Sequence, residues 1–505
     1  MDSLPEALRR QARERPESLA VVDGTDRLTY ARLYELACVI ATQLHGRGIS
    51  DGDRVAMLLP NSPQAVALIY GTWLAGGVIV PLNPLARGQE VRTLATHAGA
   101  RIIVCEPGYR DIDAIVEATR TDDSMSAVMI SDLLASKTNT SHACATPDAD
   151  DLAMLLYTSG TTGHPKAVML LHRNISANVS AIIGYLGLTR EDRVLSVLPF
   201  NYSYGSSVLH THLAVGATVV LEKNMVFPHA MAETMEREQI TGFQGVPSTF
   251  ALLLSRVDLA RFRLQSLRYI AQAGAAMSTA LVDKLRLTLP QVKIFIMYGQ
   301  TEATARLSYV PPDRLVDKPG SAGIPVPGVE IEIRDEQRLR LGPHETGNVW
   351  VRGANVMQGY WRDEPATRAV LVDGWLKTGD IGYLDDEGFL FLAGRRSDII
   401  KTGAHRVHPG EIEEVISGLA GVAEVAVAGI EDELLGQTIG AWVVPEPGHD
   451  IGIEFIKARC RDMLPGYKIP KQVQIVATLP RTASGKLRRS GLSSLKPTTA
   501  TKEVH

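Results

Sequence analysis

The stretch 153–171 limits what this chain can fold into more than any other. Two apolar runs, 153–157 (AMLLY) and 167–171 (AVMLL), flank a connection of small and hydroxylated residues that ends in one cation, Lys166. Short apolar runs bounded by turn residues read as buried strands, so the fold must hold a glycine-rich turn between two strands of its core. Gly160 and Gly163 let the backbone approach a ligand closely, while Thr158, Ser159, Thr161 and Thr162 supply hydroxyls that, with free N–H groups, surround phosphate oxygens. The order of residues is not GxxxxGK[ST] leading directly into a helix, which excludes the Walker phosphate loop. On its own, a turn of this composition is ordinarily just a flexible loop.

The chain around it alternates strand and helix. Residues 30–44 place Leu33, Leu36, Ala37, Ile40 and Leu44 on a helical stripe, 54–59 reads as a strand, and Ser62-Pro63 supplies an N-cap and first-turn proline for the next helix. Short apolar strands follow at 78–82 and 102–105, and alternation of this kind implies a largely parallel sheet covered on both faces. Residues 65–86 carry no charge and could span a bilayer by length, but Gly76, Gly77, Pro81, Asn83 and Pro84 interrupt them, so a buried helix and a strand are expected there. Residues 120–149 read as a variable surface segment; 175–186 is an amphipathic helix; 190–305 resumes the alternation. From 318 to 393 short strands and turn pairs such as Asp373-Gly374 indicate a β-rich subdomain. A compact α+β unit follows, which divides the chain into a large domain at 1–393, a small one at 394–495 and a disordered tail at 496–505. At 505 residues with a formal charge of −4, nothing favours a nucleic-acid surface. The scattered cysteines (Cys38, Cys105, Cys144, Cys460) and an N-terminus without an apolar signal core point to a reduced, cytoplasmic protein with no membrane span.

Taken together, residues 157–168 (YTSGTTGHPKAV) resemble the phosphate-binding loop of the adenylate-forming superfamily, which includes acyl-CoA synthetases, standalone adenylation enzymes and luciferases. Three further blocks extend the resemblance along nearly the whole chain. In 297–303 (MYGQTEA), Tyr298, Gly299 and Thr301 match the adenine motif and Glu302 matches its Mg²⁺ ligand, a hard carboxylate oxygen donor. Upstream, Gly274, Ala275 and Ala276 resemble the small-residue turn lining the nucleotide and acyl pocket. In 378–380 (TGD), Asp380 offers two acceptors for two ribose hydroxyls, and Arg395 matches the second ribose contact. In 480–486 (PRTASGK), Lys486 matches the catalytic lysine, a cation set between carboxylate and α-phosphate. The resemblance implies catalytic roles for Lys486, Glu302 and Thr158, with ATP and Mg²⁺ as cofactors. It also implies a small mobile domain that rotates after adenylation and presents a second loop, with Lys401 and Gly403, to the acceptor. No GxSxG elbow or HExxH pair competes, and His210-Thr211-His212 reads as packing.

Three departures from the family pattern bear on specificity and on the second half-reaction. Ser203 stands where amino-acid activators carry an Asp for the α-ammonium group, which disfavours an amino acid. Asn201 stands where an aromatic gate is common, and Tyr202 and Tyr204 suggest a pocket of some polarity; Gly274 and Gly299 complete it. At the hinge, where the family commonly has Asp or Lys three residues after the glycine, Ser397 follows Gly394-Arg395-Arg396, with Asp398 next. Ala404 falls where a glycine often borders the tunnel for the thiol. The expected activity is activation of a small-molecule carboxylic acid as acyl-AMP, followed by transfer to CoA. The alternatives are transfer to a carrier-protein phosphopantetheine or an amine, and a catalytically silent member of the fold.

Overall fold

A computed structural model describes residues 3–109, 125–135, 146–158, 166–223, 227–395, 398–402, 405–432, 436–482 and 487–495, without the side chains of residues 401, 405, 406 and 436. A large N-terminal domain of three sheets with helices is followed by a small one built on a fourth sheet.

The first sheet runs, in spatial order, Ile324–Pro325, Ser308–Val310, Lys293–Tyr298, Tyr269–Gln272, Gly242–Gly245, Arg193–Ser196, Thr218–Leu221, Leu19–Asp23 and Asp26–Thr29. From Lys293–Tyr298 to Leu19–Asp23 every pairing is parallel, and the antiparallel pairings lie at the two ends. The second sheet orders Gly359–Tyr360, Lys166–Leu171, Leu152–Thr158, Val78–Pro81, Arg54–Leu58, Ala100–Cys105 and Ser126–Met129. The two strands flanking the glycine-rich connection therefore pair with each other, antiparallel, with Thr158 opposite Lys166. Ser126–Met129, inside the segment expected to be variable surface, instead extends this sheet in parallel to Ala100–Cys105, and a short helix, Ile130–Leu134, follows it. The other parts of that segment, 120–124 and 136–145, lie outside the described residues, as does the tail from 496.

The uncharged stretch 65–86 is accounted for by burial in protein. Helix Pro63–Leu74 is capped by the Ser62 hydroxyl, which accepts from the Ala65 N–H at 3.1 Å, and it is buried along almost its whole length. Gly71 is required where it crosses helix Tyr30–Gly46, because a Cβ there would stand 2.8 Å from the Ala37 carbonyl and from Ile40. Trp73 Nε1 donates to the Ala153 carbonyl at 2.8 Å, which ties this helix to the strand leading into the connection. No helix of the described residues is long and apolar enough to cross a membrane.

The third sheet is antiparallel: Val329–Arg334, Gly347–Gly353 and Trp375–Leu384, with Leu371–Val372 and Leu390–Arg395 both paired to Trp375–Leu384. The strand Leu390–Arg395 thus carries Gly394 and Arg395 in this sheet, and the sheet of the small domain begins at Ile400. That last sheet joins His405–Val407, Ile400–Thr402, Gly436–Pro445 and Val422–Asp432, with Gln472–Ile475 parallel to Gly436–Pro445, and it holds its own apolar core against helices Pro409–Ser417 and Ile453–Met463.

The amino ends of the parallel strands are clasped by one carboxylate. Asp192 is 2% exposed and accepts from Thr241 Oγ1 at 2.6 Å, from the Thr189 N–H at 2.8 Å and from Arg268 Nη2 at 2.8 Å, residues that precede three neighbouring strands. Burial alone would raise this carboxyl; the bonds from Thr241, Thr189 and Arg268 outweigh it and hold the group below its ordinary 3.8. A depressed folded pKa contributes stability above the ordinary value and loses it as pH falls through the folded one. Asp192→Ala is therefore expected to lower the stability of the large domain by about 2–4 kcal/mol at neutral pH, the cost of stranding buried donors. In urea unfolding, the gap from wild type should close only below about pH 4; a gap that stays constant down to pH 3 would rule out the ionised clasp.

Candidate active site

At the carboxyl ends of the same strands the chain turns sharply. Ligands of open parallel sheets bind outside these ends. Strand Lys293–Tyr298 passes through Gly299 and Gln300 into a 3₁₀ turn, Thr301–Ala303. A Cβ on Gly299 would lie 1.8 Å from the Ala305 carbonyl oxygen, so the turn folds back over a position that admits no side chain. Thr304 closes it at φ +65°, ψ −61°, a costly conformation for a β-branched residue. Its hydroxyl donates to the Asn355 carbonyl at 2.7 Å, and Asn355 Nδ2 donates to the carbonyls of Ala303 (3.1 Å) and Arg306 (3.0 Å).

That turn presents Glu302. Its backbone carbonyl accepts from the Met357 N–H at 2.9 Å, and its Oε1 accepts from the Tyr360 hydroxyl at 2.9 Å. Tyr360 sits on strand Gly359–Tyr360, opposite Val168, and Lys166 Nζ lies 5.1 Å from the centre of its ring. Thr158 faces Lys166 across the hairpin, with its hydroxyl 3.5 Å from the Lys166 carbonyl. One carboxylate, one ammonium and a hydroxyl-bearing strand end are thereby gathered around a tyrosine. Burial, then the Glu302 charge, pushes the Tyr360 hydroxyl well above its ordinary value, so it stays a donor. Ser159, Gly160, Thr161, Thr162 and Gly163 lie outside the described residues, as do Gly403 and Lys486 and the side chain of Lys401.

A second carboxylate, Asp380, stands beside Tyr298. It is 6% exposed, Tyr298 Oη donates to its Oδ2 at 2.5 Å, and Arg395 Nε donates to its Oδ1 at 3.2 Å. Asp380 and Arg395 face each other across the pair of strands Trp375–Leu384 and Leu390–Arg395. Burial raises the Asp380 carboxyl, Arg395 and the Tyr298 hydrogen bond pull it back, and Asp380 in turn raises Arg395.

Towards the expected acyl pocket, Ser203 Oγ lies 3.3 Å from Thr301 Oγ1, joining the first turn of helix Ser203–Val215 to the turn that carries Glu302. Tyr204 donates to the Ala271 carbonyl at 2.9 Å. Gln272 Nε2 donates to the Ala275 carbonyl at 2.7 Å, which braces the turn in which Gly274 takes φ +96° and Ala275 and Ala276 are exposed. Asn201 is buried and Tyr202 half-buried, and among the described residues neither has a polar contact with Thr301, Tyr298 or Glu302.

Two residues near the site were not singled out by their sequence pattern. They are Tyr360 and Arg306, the latter the one charge in 303–310 (ATARLSYV). His210 and His212 pack inside the domain, where burial lowers them to about 3 and about 4; His212 Nε2 meets the Tyr269 hydroxyl at 2.9 Å and His210 Nδ1 the Tyr70 hydroxyl at 3.2 Å.

Residues 8–361 match the AMP-binding enzyme family, and residues 411–486 match the AMP-binding enzyme C-terminal domain. A 2-succinylbenzoate–CoA ligase of Bacillus licheniformis is 33% identical over 490 residues, covering 97% of this chain and 99% of that one. The 3-[(3aS,4S,7aS)-7a-methyl-1,5-dioxo-octahydro-1H-inden-4-yl]propanoyl:CoA ligase of Rhodococcus jostii is 32% identical over 517 residues, covering 97% and 98%. The o-succinylbenzoate CoA synthetase of Bacillus subtilis, solved with its acyl-adenylate intermediate, superposes with a TM-score of 0.87 at 29% identity, covering 98% and 99%. The chain belongs to the AMP-binding, adenylate-forming enzymes. Within them it is an AMP-forming acid–thiol ligase.

The fold-back at Gly299 yields a direct check. Gly299→Ala should cost about 3 kcal/mol, because its methyl group meets backbone. Gly466→Ala, which meets nothing within 4 Å, should change stability by less than about 0.5 kcal/mol. Equal melting temperatures for the two variants would contradict the described turn.

Proposed function

We propose that this protein joins a non-amino carboxylic acid to the α-phosphate of ATP, releasing pyrophosphate, and then passes the acyl group to the thiol of CoA. The observation that carries the residue assignments is the convergence of Lys166, Tyr360 and Glu302 at one strand end, with Asp380–Arg395 beside Tyr298 and Ser203 against Thr301.

Two anions must meet in the first step, so the site needs fixed cations and donors more than a base. Lys166, with the hydroxyls of Thr158 and its loop, would hold the terminal phosphates. Glu302, whose Oε1 is already aimed by Tyr360, would with phosphate oxygens fit Mg²⁺, which takes hard oxygen donors. Bound there, the ion would neutralise phosphate charge. Asp380, paired with Arg395, would accept from the ribose hydroxyls, and Tyr298 would lie along the adenine. Ser203, without charge, suits an acid that brings no ammonium group.

The small domain supplies the remaining roles on motif grounds: Lys486 for adenylation, and Lys401 with Gly403 for thiol transfer. We place the division of the chain near residues 394–398, where the third sheet ends at Arg395 before the sheet of the small domain begins at Ile400. A cytoplasmic location is supported by the buried, reduced thiols Cys38, Cys105 and Cys460. Acid-dependent ATP–pyrophosphate exchange, followed by mass detection of acyl-CoA, tests the whole reading. Exchange without acyl-CoA would move the acceptor to a carrier protein or an amine.

Glu302→Gln should reduce exchange about a hundredfold at fixed Mg²⁺, and added Mg²⁺ should recover part of it. Turnover and magnesium dependence equal to wild type would remove Glu302 from the site. Lys486→Ala should lower adenylate formation by about 10²–10³ while sparing thioester formation from supplied acyl-adenylate. Gly403→Leu should do the reverse. Equal loss of both half-reactions in both variants would count against a rotating small domain.

A further inference from the structure

Arg306 is the one arginine or lysine among the described residues that is fully buried, at 2% exposure. Other deeply placed charges come in pairs: Arg268 with Asp192, Arg193 and Arg27 with Glu238, Lys318 with Asp385, Arg395 with Asp380. Among the described residues no carboxylate pairs with Arg306. Its guanidinium carbon lies 3.9 Å from the centre of the Tyr204 ring, its Nε donates to Met297 Sδ at 3.4 Å, and it hydrogen-bonds the hydroxyl of Tyr185. A ring face, a thioether and a neutral hydroxyl are weak compensation for a desolvated charge, and none of them uses the planar pair of donors that suits arginine to a carboxylate.

The position of this cation connects it to the reaction. Tyr204 follows Ser203, whose hydroxyl is 3.3 Å from Thr301, and Met297 precedes Tyr298 on the strand that ends in the active-site turn. Arg306 itself is fixed by Asn178, which accepts from its N–H at 3.2 Å and donates to its carbonyl at 2.9 Å. Around it, Tyr185 and Tyr309 stack at 4.2 Å, and Tyr185, Tyr204 and Tyr309 are each only half-buried, so the aromatic chamber is not sealed. A buried cation with its backbone held in place, aromatic neighbours and, among the described residues, no anion is open to one brought by a ligand.

We propose that Arg306 selects the acid: the substrate carries a second carboxylate, remote from the one that is adenylated, which pairs with this guanidinium. The inference rests on the acid–thiol ligase reading and adds the substrate class to it. One carboxylate remains free to attack the α-phosphate and the other is held in the chamber, and the missing charge at Ser203 is consistent with an acid recognised by its anionic end.

The test is ATP–pyrophosphate exchange by the full-length enzyme with matched sets of acids: aliphatic and aryl dicarboxylic acids, the half-methyl ester of each, and the monoacid of the same skeleton. Wild type should use the best diacid with a kcat/KM about a hundredfold above its half-ester. Arg306→Gln should remove that preference through a raised KM for the diacid, leaving the half-ester within a few-fold of wild type and the KM for ATP unchanged. A wild-type enzyme that uses monoacids or half-esters as well as diacids would overturn the inference while leaving the ligase reading intact; exchange with no acid would overturn both. A folded Arg306→Gln, by circular dichroism and melting temperature, that loses every acid equally would show a merely structural arginine. Should that variant not fold, the wild-type comparison of diacid against half-ester decides alone.

Discussion

The site depends on one close approach of backbone to backbone, the reversal at Gly299. Because no atom beyond hydrogen fits between Gly299 and the Ala305 carbonyl, the chain leaving strand Lys293–Tyr298 must double back within a few residues. That reversal fixes Thr301 against Ser203, aims Glu302 at Tyr360 and leads Arg306 into the aromatic chamber. Thr304 is held in a strained conformation for the same purpose, and the hydrogen bonds of Asn355 to Ala303 and Arg306, with that of Thr304 to Asn355, are what offset the strain. The expected metal ligand Glu302, the adenine-motif residue Thr301 and the expected pocket residue Ser203 are consequently brought together by one turn rather than by separate loops.

The secondary structure was largely legible because it follows from periodicity. Apolar alternation and the caps at Ser62 and Pro63 gave strands and helices close to their true limits, and the uncharged stretch 65–86 resolved into helix Pro63–Leu74 and strand Val78–Pro81. The strand Ser126–Met129 was not legible, since four residues at the edge of a sheet carry little pattern of their own and gain their conformation from the neighbour Ala100–Cys105. Glu302 and Asp380 were readable as candidates, because a carboxylate within a run of glycine and threonine stands out chemically. Tyr360 and Arg306 were not. Each owes its importance to partners far away in sequence, Glu302 for the first and Tyr204 for the second, and the pairing is created only by the fold.

The two ends of the parallel sheet treat charge in opposite ways. At the amino ends, Asp192 and Glu238 are each surrounded by donors: Thr241, Thr189 and Arg268 on the one, Arg27 and Arg193 on the other. Buried carboxylates satisfied this fully hold neighbouring strands in register and have no capacity left for a ligand. At the carboxyl ends, among the described residues, Glu302 has one donor on one oxygen, Lys166 rests on a ring face, and Arg306 has no anion. Such groups are costly in the free protein and useful in the complex, because a substrate that completes them gains what the fold left unmade.

This asymmetry also bears on how selectivity is divided within the site. Under the proposed reading, Lys166, Glu302 and Asp380 would meet groups that every ATP carries, so they would not distinguish one acid from another. Discrimination would then come from side chains that the nucleotide does not reach: the neutral hydroxyl of Ser203 and, around the charge of Arg306, the rings of Tyr185, Tyr204 and Tyr309. Hydroxyls and rings tolerate many acids, since one methylene more or less changes binding modestly. A desolvated guanidinium tolerates few: an acid that leaves it unpaired forgoes the strongest interaction available in the chamber and must still bury the charge. On this proposal the residue that would most restrict the choice of acid is the one that no carboxylate of the described residues answers.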